Sequence, residues 1–172
     1  MGKKVATVIT DLFEDIEYFS PEEEMGNEGH DVITIGPEGG KQIEGKKGEK
    51  ITVDKGIDDV NPEDFDALFI PGGYSPDKLR KDERFLKFVQ YFDKSEKPIF
   101  TICHGPQLLI NAEVIKGKKV TSAPQVAIDL KNAGADYEDK EVVKDESGLI
   151  SSRGPDDLPA FNKAVLEALK NA

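Results

Sequence analysis

Cysteine, histidine, arginine and tryptophan are nearly missing from this chain. Its 172 residues hold one cysteine (Cys103), two histidines (His30 and His104), three arginines and no tryptophan. A lone cysteine excludes an intrachain disulfide and, with only two histidines, a multi-thiolate zinc site, so no metal is expected. It also points to a reducing, cytoplasmic compartment. Few arginines beside twenty lysines argue against a dedicated phosphate clamp. Excess positive charge is missing as well, since the net charge is −11. Neither nucleic acid nor an anionic membrane is then an expected partner, because phosphate backbones are held by clustered positive charge. No run approaches the roughly 18 apolar residues of a membrane span. The short apolar run after Met1–Lys4 does not read as a signal peptide. Ala6 stands where a myristoylation string needs Ser or Thr.

Apolar residues make up 37% and charged residues 33% of the chain, values that raise the question of disorder. The pattern answers it, because the apolar residues gather in short β-branched runs. The length suits one domain over residues 1–172. VATVIT (5–10), DVITI (31–35), ALFI (67–70), IFTI (99–102) and LIS (149–151) read as strands buried on both faces. Ser20-Pro21-Glu22-Glu23 reads as a helix start, with Ser20 as N-cap and Glu23 closing a capping box, and Gly29 as the stop. Phe85, Phe88, Val89 and Phe92 lie on one face of a helix over about 82–95. Val126, Leu130 and Ala133 mark another. Leu158, Phe161, Val165, Leu166 and Leu169 mark a last one, with Pro159 in its first turn. Residues 36–54 suggest a short hairpin turning at Gly45–Gly48. Strands alternating with helices predict a doubly wound α/β sheet, which binds ligands beyond the carboxyl ends of its strands.

Three strand ends carry chemistry. After IFTI comes Cys103-His104-Gly105-Pro106-Gln107, a strand running straight into a helix start. That layout, with serine, is the nucleophile elbow of hydrolases. A helix N-terminus there is expected to favour thiolate and lower the Cys103 pKa. A buried structural cysteine is the ordinary alternative. After ALFI comes Pro71-Gly72-Gly73, whose N–H groups can serve an oxyanion; a plain turn is the alternative. After the first strand, Asp11, Glu14, Asp15 and Glu17 crowd one loop. One of them, buried beside the thiol, would have a raised pKa and donate to the thiolate, and composition does not select which. His104 adjoins Cys103 and needs a bent backbone to face it. His30 reads as an ordinary loop residue.

These residues resemble the ThiJ/PfpI family. Phe13-Glu14-Asp15-Ile16-Glu17, ALFIPGG (67–73) and ICHGPQLL (102–109) carry the resemblance. Gly45-Lys46-Lys47-Gly48 and Ser151-Ser152-Arg153-Gly154-Pro155-Asp156-Asp157-Leu158 extend it along the chain. The nearest branch looks like PfpI-type intracellular cysteine peptidases and small bacterial general stress proteins. The resemblance implies a flavodoxin-like, mostly parallel sheet with helices on both faces, of the class I glutamine-amidotransferase-like group. It implies Cys103 as nucleophile, Glu17 as the buried acid bonded to it, and His104 as the triad histidine. Gly73 and the His104 backbone match the family's oxyanion positions, to which the residues themselves add Gly72 of the glycine pair. In PfpI-type oligomers a neighbouring subunit supplies a glutamate to the triad. Asp77 occupies its place, one methylene shorter, and Ala123 stands where a tyrosine is usual.

The resemblance implies no cofactor, and a homo-oligomer (dimer, trimer or hexamer). It implies a stress-related cysteine hydrolase. The expected substrate is a small reactive carbonyl and its adducts on glycated protein, or a peptide. The alternative is an oxidative-stress sensor or chaperone with a redox-reactive Cys103. An FMN-binding domain ranks lower, because no Ser/Thr-rich phosphate loop follows the first strand.

Overall fold

Short β-branched runs need two covered faces, and the sheet supplies them. The computed structural model describes residues 2–172. In chain order the elements are β1 (Lys4–Val8), α1 (Asp15–Asn27), β2 (Asp31–Gly36), β3 (Gln42–Glu44), β4 (Lys50–Thr52), β5 (Lys55–Gly56), β6 (Ala67–Ile70), α2 (Ser75–Leu79), α3 (Glu83–Lys94), β7 (Ile99–Ile102), α4 (Pro106–Asn111), β8 (Lys119–Val120), α5 (Ala127–Asn132), β9 (Asp136–Tyr137), β10 (Val143–Lys144), β11 (Leu149–Ser152) and α6 (Leu158–Lys170). Seven strands form the central sheet in the order β10-β11-β7-β6-β1-β2-β5. All neighbours are parallel except β10 with β11. β3 and β4 form the expected antiparallel hairpin. The sheet is thus the doubly wound α/β one that the residue pattern predicts, in the flavodoxin-like, mostly parallel form that the resemblance implies. Among the described residues no helix is long and apolar enough to cross a membrane.

Alternation along the strands divides the core in two. Ala6, Val8, Leu68 and Ile70 pack with Phe85, Phe88, Val89 and Phe92 of α3, and with Leu108 and Leu130. Val5, Ala67, Phe69 and Phe100 pack with Met25 of α1 and with Phe161, Val165 and Leu169 of α6. Asp82 caps α3 by accepting the Arg84 N–H at 3.0 Å. Pro159 lies in the first turn of α6, where its missing N–H costs nothing.

Helix α1 departs from the expected start at Ser20. Its N-cap position is Glu14, six residues earlier, and its first residue Asp15, so Ser20 and Pro21 lie inside it. Ser20 caps nothing; its Oγ accepts the Asn162 Nδ2–H at 2.9 Å across to α6. Packing of Tyr18 and Met25 outweighs the loss of one helical bond at Pro21. The early start has a consequence: it places Glu17 in the first turn, at the mouth of the sheet.

The chain leaves β1 through α1 to β2 on one side, and β6 leads through α3 to β7 on the other. The strand order therefore reverses beside β1. The carboxyl ends of β1, β6 and β7 adjoin there, the place where open α/β sheets take ligands.

Phe100 is fully buried at the sheet centre. Phe100→Ala is expected to cost about 3–5 kcal/mol of unfolding free energy in chemical denaturation, because the surrounding strands cannot collapse onto the cavity.

Candidate active site

Strand β7 ends on Cys103, which holds φ +63° although it is not glycine. That left-handed conformation costs on the order of 1–3 kcal/mol and persists only where neighbours enforce it. Here the Cys103 N–H donates to the Ser152 carbonyl at 3.0 Å, and its carbonyl accepts the Ala123 N–H at 2.9 Å. Gly105 follows in a space so tight that a Cβ would overlap Thr101 Oγ1 and lie 2.8 Å from the Ile70 carbonyl. Pro106 then opens α4. The elbow expected from the residue order is present, and it bends the chain enough to bring His104 Nδ1 within 3.2 Å of Cys103 Sγ.

Glu17 rises from the first turn of α1 and is fully buried. Neither carboxyl oxygen has a hydrogen-bond partner of normal geometry. Burial, with Glu14 nearby, pushes its pKa from the ordinary 4.5 up to about 8; Cys103, the Gly72 N–H and Lys46 oppose this only in part. Near pH 7 the carboxyl is therefore mainly protonated. Of the four acids in this loop, only Glu17 sits in that environment. Asp11 and Asp15 are engaged by the hairpin, and Glu14 pairs with Lys46 Nζ at 3.3 Å.

Burial and a charged Glu17 push the Cys103 thiol up to about 12, while the Gly73 and His104 N–H groups pull it down. This corrects the expected lowering by a helix end, since α4 is only six residues long. The Glu17 contribution changes sign with its proton. A neutral Glu17 carries no charge against the thiolate and donates to it. The two groups titrate as a pair, not as separate residues.

The two glycines have different tasks. Gly73 (φ +81°) turns its N–H toward the sulfur, as the His104 N–H does. Gly72 instead faces Glu17 with its N–H, which moves it out of the expected oxyanion set. A Cβ on Gly72 would overlap Glu17 Oε1 and lie 2.8 Å from Cys103 Cβ. Asp77 is exposed and turned to Arg80 Nη1 at 3.3 Å; it acts on His104 only through space. Burial, then Lys46, lowers the His104 pKa, so its ring is neutral at pH 7. His30 lies at the other end of the sheet, where its Nδ1 accepts the Lys3 N–H at 3.0 Å.

Two neighbours escaped the reading of the residues. Lys46, from the β3–β4 turn, sits 5.0 Å from the centre of the exposed Tyr74 ring. Its turn is tied back by its own N–H to the Phe13 carbonyl at 2.9 Å. Residue order contains no sign of this, because the hairpin reaches the site by folding over from the sheet edge. Among the described residues no three His, Cys, Asp or Glu side chains converge on a point where a metal ion would sit.

A sequence profile of the DJ-1/PfpI family matches residues 3–168. The chain is 56% identical over 170 residues to "Protein/nucleic acid deglycase 2" of Escherichia coli K12, covering 98% of this chain and 99% of that one. It is 52% identical over 171 residues to "General stress protein 18" of Bacillus subtilis 168, covering 99% of each. Among solved structures it resembles a two-domain protein of Anabaena variabilis with DJ-1/ThiJ/PfpI-like and ferritin-like domains. The TM-score is 0.94 and the identity 36%; the match covers 98% of this chain and 48% of that protein.

The raised Glu17 pKa makes stability depend on pH. The folded protein holds this proton more tightly than the unfolded chain. The stabilisation is complete below about pH 4.5 and is lost as pH rises through about 8. Glu17→Gln, which cannot ionise, is expected to gain stability relative to wild type across that window. Urea unfolding at several pH values measures the difference; a difference independent of pH contradicts a protonated Glu17.

Proposed function

The chain belongs to the DJ-1/PfpI family, and we propose from that premise that it is a cysteine-dependent enzyme acting on small reactive dicarbonyls and the adducts they leave on proteins or nucleotides. The observation that carries this reading is the arrangement around one sulfur. Cys103 Sγ has an acid kept neutral by burial, a neutral imidazole at 3.2 Å, and two backbone N–H groups directed at it. A small aldehyde needs those groups and little more.

In this reading His104 Nδ1 takes the thiol proton, and the Glu17 carboxyl hydrogen-bonds the thiolate. Sulfur adds to the aldehyde carbon, and the carbonyl electron pair moves to oxygen, where the Gly73 and His104 N–H groups hold it. His104 returns the proton, giving a hemithioacetal. The hydrogen on that carbon then moves to the neighbouring ketone carbon through an enediol. The former aldehyde carbon is oxidised to a thioester as the ketone is reduced to an alcohol, so no external oxidant is required. Water cleaves the thioester and restores the thiol. The sum is dicarbonyl plus water giving a 2-hydroxy acid.

Peptide hydrolysis makes a further demand, a carboxylate that orients His104 as it protonates the leaving amine. Asp77 is paired with Arg80 within the subunit, which favours the carbonyl reading. The unpartnered Glu17 oxygens also support a second reading, oxidant sensing, since a protonated Glu17 can donate to an oxidised sulfur. Stable Cys103 sulfinate after mild peroxide, in a protein without dicarbonyl turnover, is the mass-spectrometric result that would favour it.

Cys103→Ala is expected to abolish methylglyoxal consumption, and His104→Ala to lower kcat by about a hundredfold. A spectrophotometric assay of dicarbonyl loss measures both. Full activity in Cys103→Ala removes the nucleophile from the account.

A further inference from the structure

The mechanism above leaves two buried acids unused, Asp157, which is paired with Arg153, and Asp15. Asp15 is 6% exposed and heads α1 two residues before Glu17. Its Oδ1 accepts the Lys47 N–H at 2.9 Å and its Oδ2 accepts the Glu49 N–H at 3.0 Å. Both donors belong to the β3–β4 turn. Gly45 opens that turn against the same carboxylate, where a Cβ would overlap Asp15 Oδ1. The hairpin is further fastened by the Leu12 N–H to the Glu44 carbonyl at 2.8 Å and by the Glu44 N–H to Asp11 Oδ1 at 3.0 Å. Between these ties stands Lys46, held by Glu14 at 3.3 Å and by the Tyr74 ring.

We propose that Asp15 is a positioning residue whose carboxylate clasps the β3–β4 turn so that the Lys46 ammonium stands near the Cys103–His104 pair and raises the thiolate population.

The electrostatics agree with the geometry. Glu17 from α1 and His104 from the elbow adjoin Cys103, and Lys46 from the hairpin, fixed beside Glu14 and Tyr74, acts on them through space. Lys46 in turn faces Glu14, Glu17, Tyr74, Cys103 and His104, and His104 also feels Asp77. Burial draws the Lys46 pKa down, but the bond and charge of Glu14 hold it above its ordinary value, so the group stays cationic. Lys46 is thus the one lasting positive side-chain charge among these groups at neutral pH, because His104 is neutral there. The clasp couples α1, which carries the proton donor Glu17, to the hairpin, which carries the cation. The inference rests on Cys103 being the working thiol, and its readout, thiol ionisation, does not depend on which substrate is turned over.

Gly45→Ala separates the clasp from charge. Gly45 is not left-handed, so alanine is allowed by its backbone, yet the new methyl displaces the Asp15 carboxylate and changes no charge. The rate of Cys103 alkylation by iodoacetamide at pH 7 and the pH profile of ultraviolet thiolate absorbance read the result. Lys46→Met and Gly45→Ala are each expected to slow alkylation roughly three- to tenfold, the loss of thiolate at fixed pH when the thiol pKa rises by about half to one. In a Lys46→Met background, Gly45→Ala is expected to add nothing. If Gly45→Ala does not fold, Asp15→Asn takes its place: its effect in the Lys46→Met background gives the charge change alone, and the extra slowing with Lys46 present gives the clasp. Unchanged alkylation in folded Lys46→Met overturns the proposal. So does a further slowing by the clasp variant in the absence of Lys46. Wild-type protein that fails to consume dicarbonyls, with the expected slowing of alkylation in Lys46→Met and Gly45→Ala, would count against the substrate reading alone.

Discussion

A carboxyl group buried against a sulfur, with no hydrogen-bond partner of normal geometry, governs this site. Glu17 has no exposed surface, and both of its oxygens lack partners of normal geometry. Burying a carboxylate in that state costs several kcal/mol, so the group keeps its proton instead. The proton then has one productive acceptor, the Cys103 thiolate. A neutral acid stabilises that anion without opposing its charge, which a carboxylate cannot do.

Much of the surrounding structure serves this contact. Cys103 is held left-handed by the Ser152 carbonyl and the Ala123 N–H, which turn its side chain out of the sheet and toward α1. Gly72 leaves room where any Cβ would strike Glu17 or Cys103. Leu12, also left-handed at φ +66°, lets the loop after β1 double back. Its carbonyl accepts the Tyr74 N–H at 2.8 Å, while Gly72 accepts the Glu14 N–H at 3.1 Å. Two residues held left-handed cost on the order of 1–3 kcal/mol each. The packed sheet beneath, with Phe69 and Phe100 fully buried, supplies the rigidity that sustains them.

The residues disclosed the frame more fully than the site. Five strands were legible because both-face burial leaves short β-branched runs, and α3 was legible because Phe85, Phe88, Val89 and Phe92 repeat at helical spacing. The elbow was legible in Cys103-His104-Gly105-Pro106, since Pro106 permits one register of strand into helix. The start of α1 was misplaced because Ser20-Pro21 imitates a capping sequence, while tertiary packing extends the helix back to Asp15. That placement decides why Glu17 differs from its acidic neighbours: it is buried without partners, whereas Asp15 is buried but accepts two N–H groups of the turn. Lys46 and the Asp15 clasp were illegible because a hairpin folding over from the sheet edge leaves no local signature.

The central claim is that Glu17 keeps its proton beside Cys103 at neutral pH. Infrared difference spectroscopy of the carboxyl C=O stretch at pH 7, comparing wild type with Glu17→Gln, tests it most directly. The account predicts a protonated-carboxyl band in wild type that is absent from Glu17→Gln and that disappears as pH is raised past about 8. A wild-type spectrum with no such band at pH 7, showing Glu17 already ionised, would contradict it.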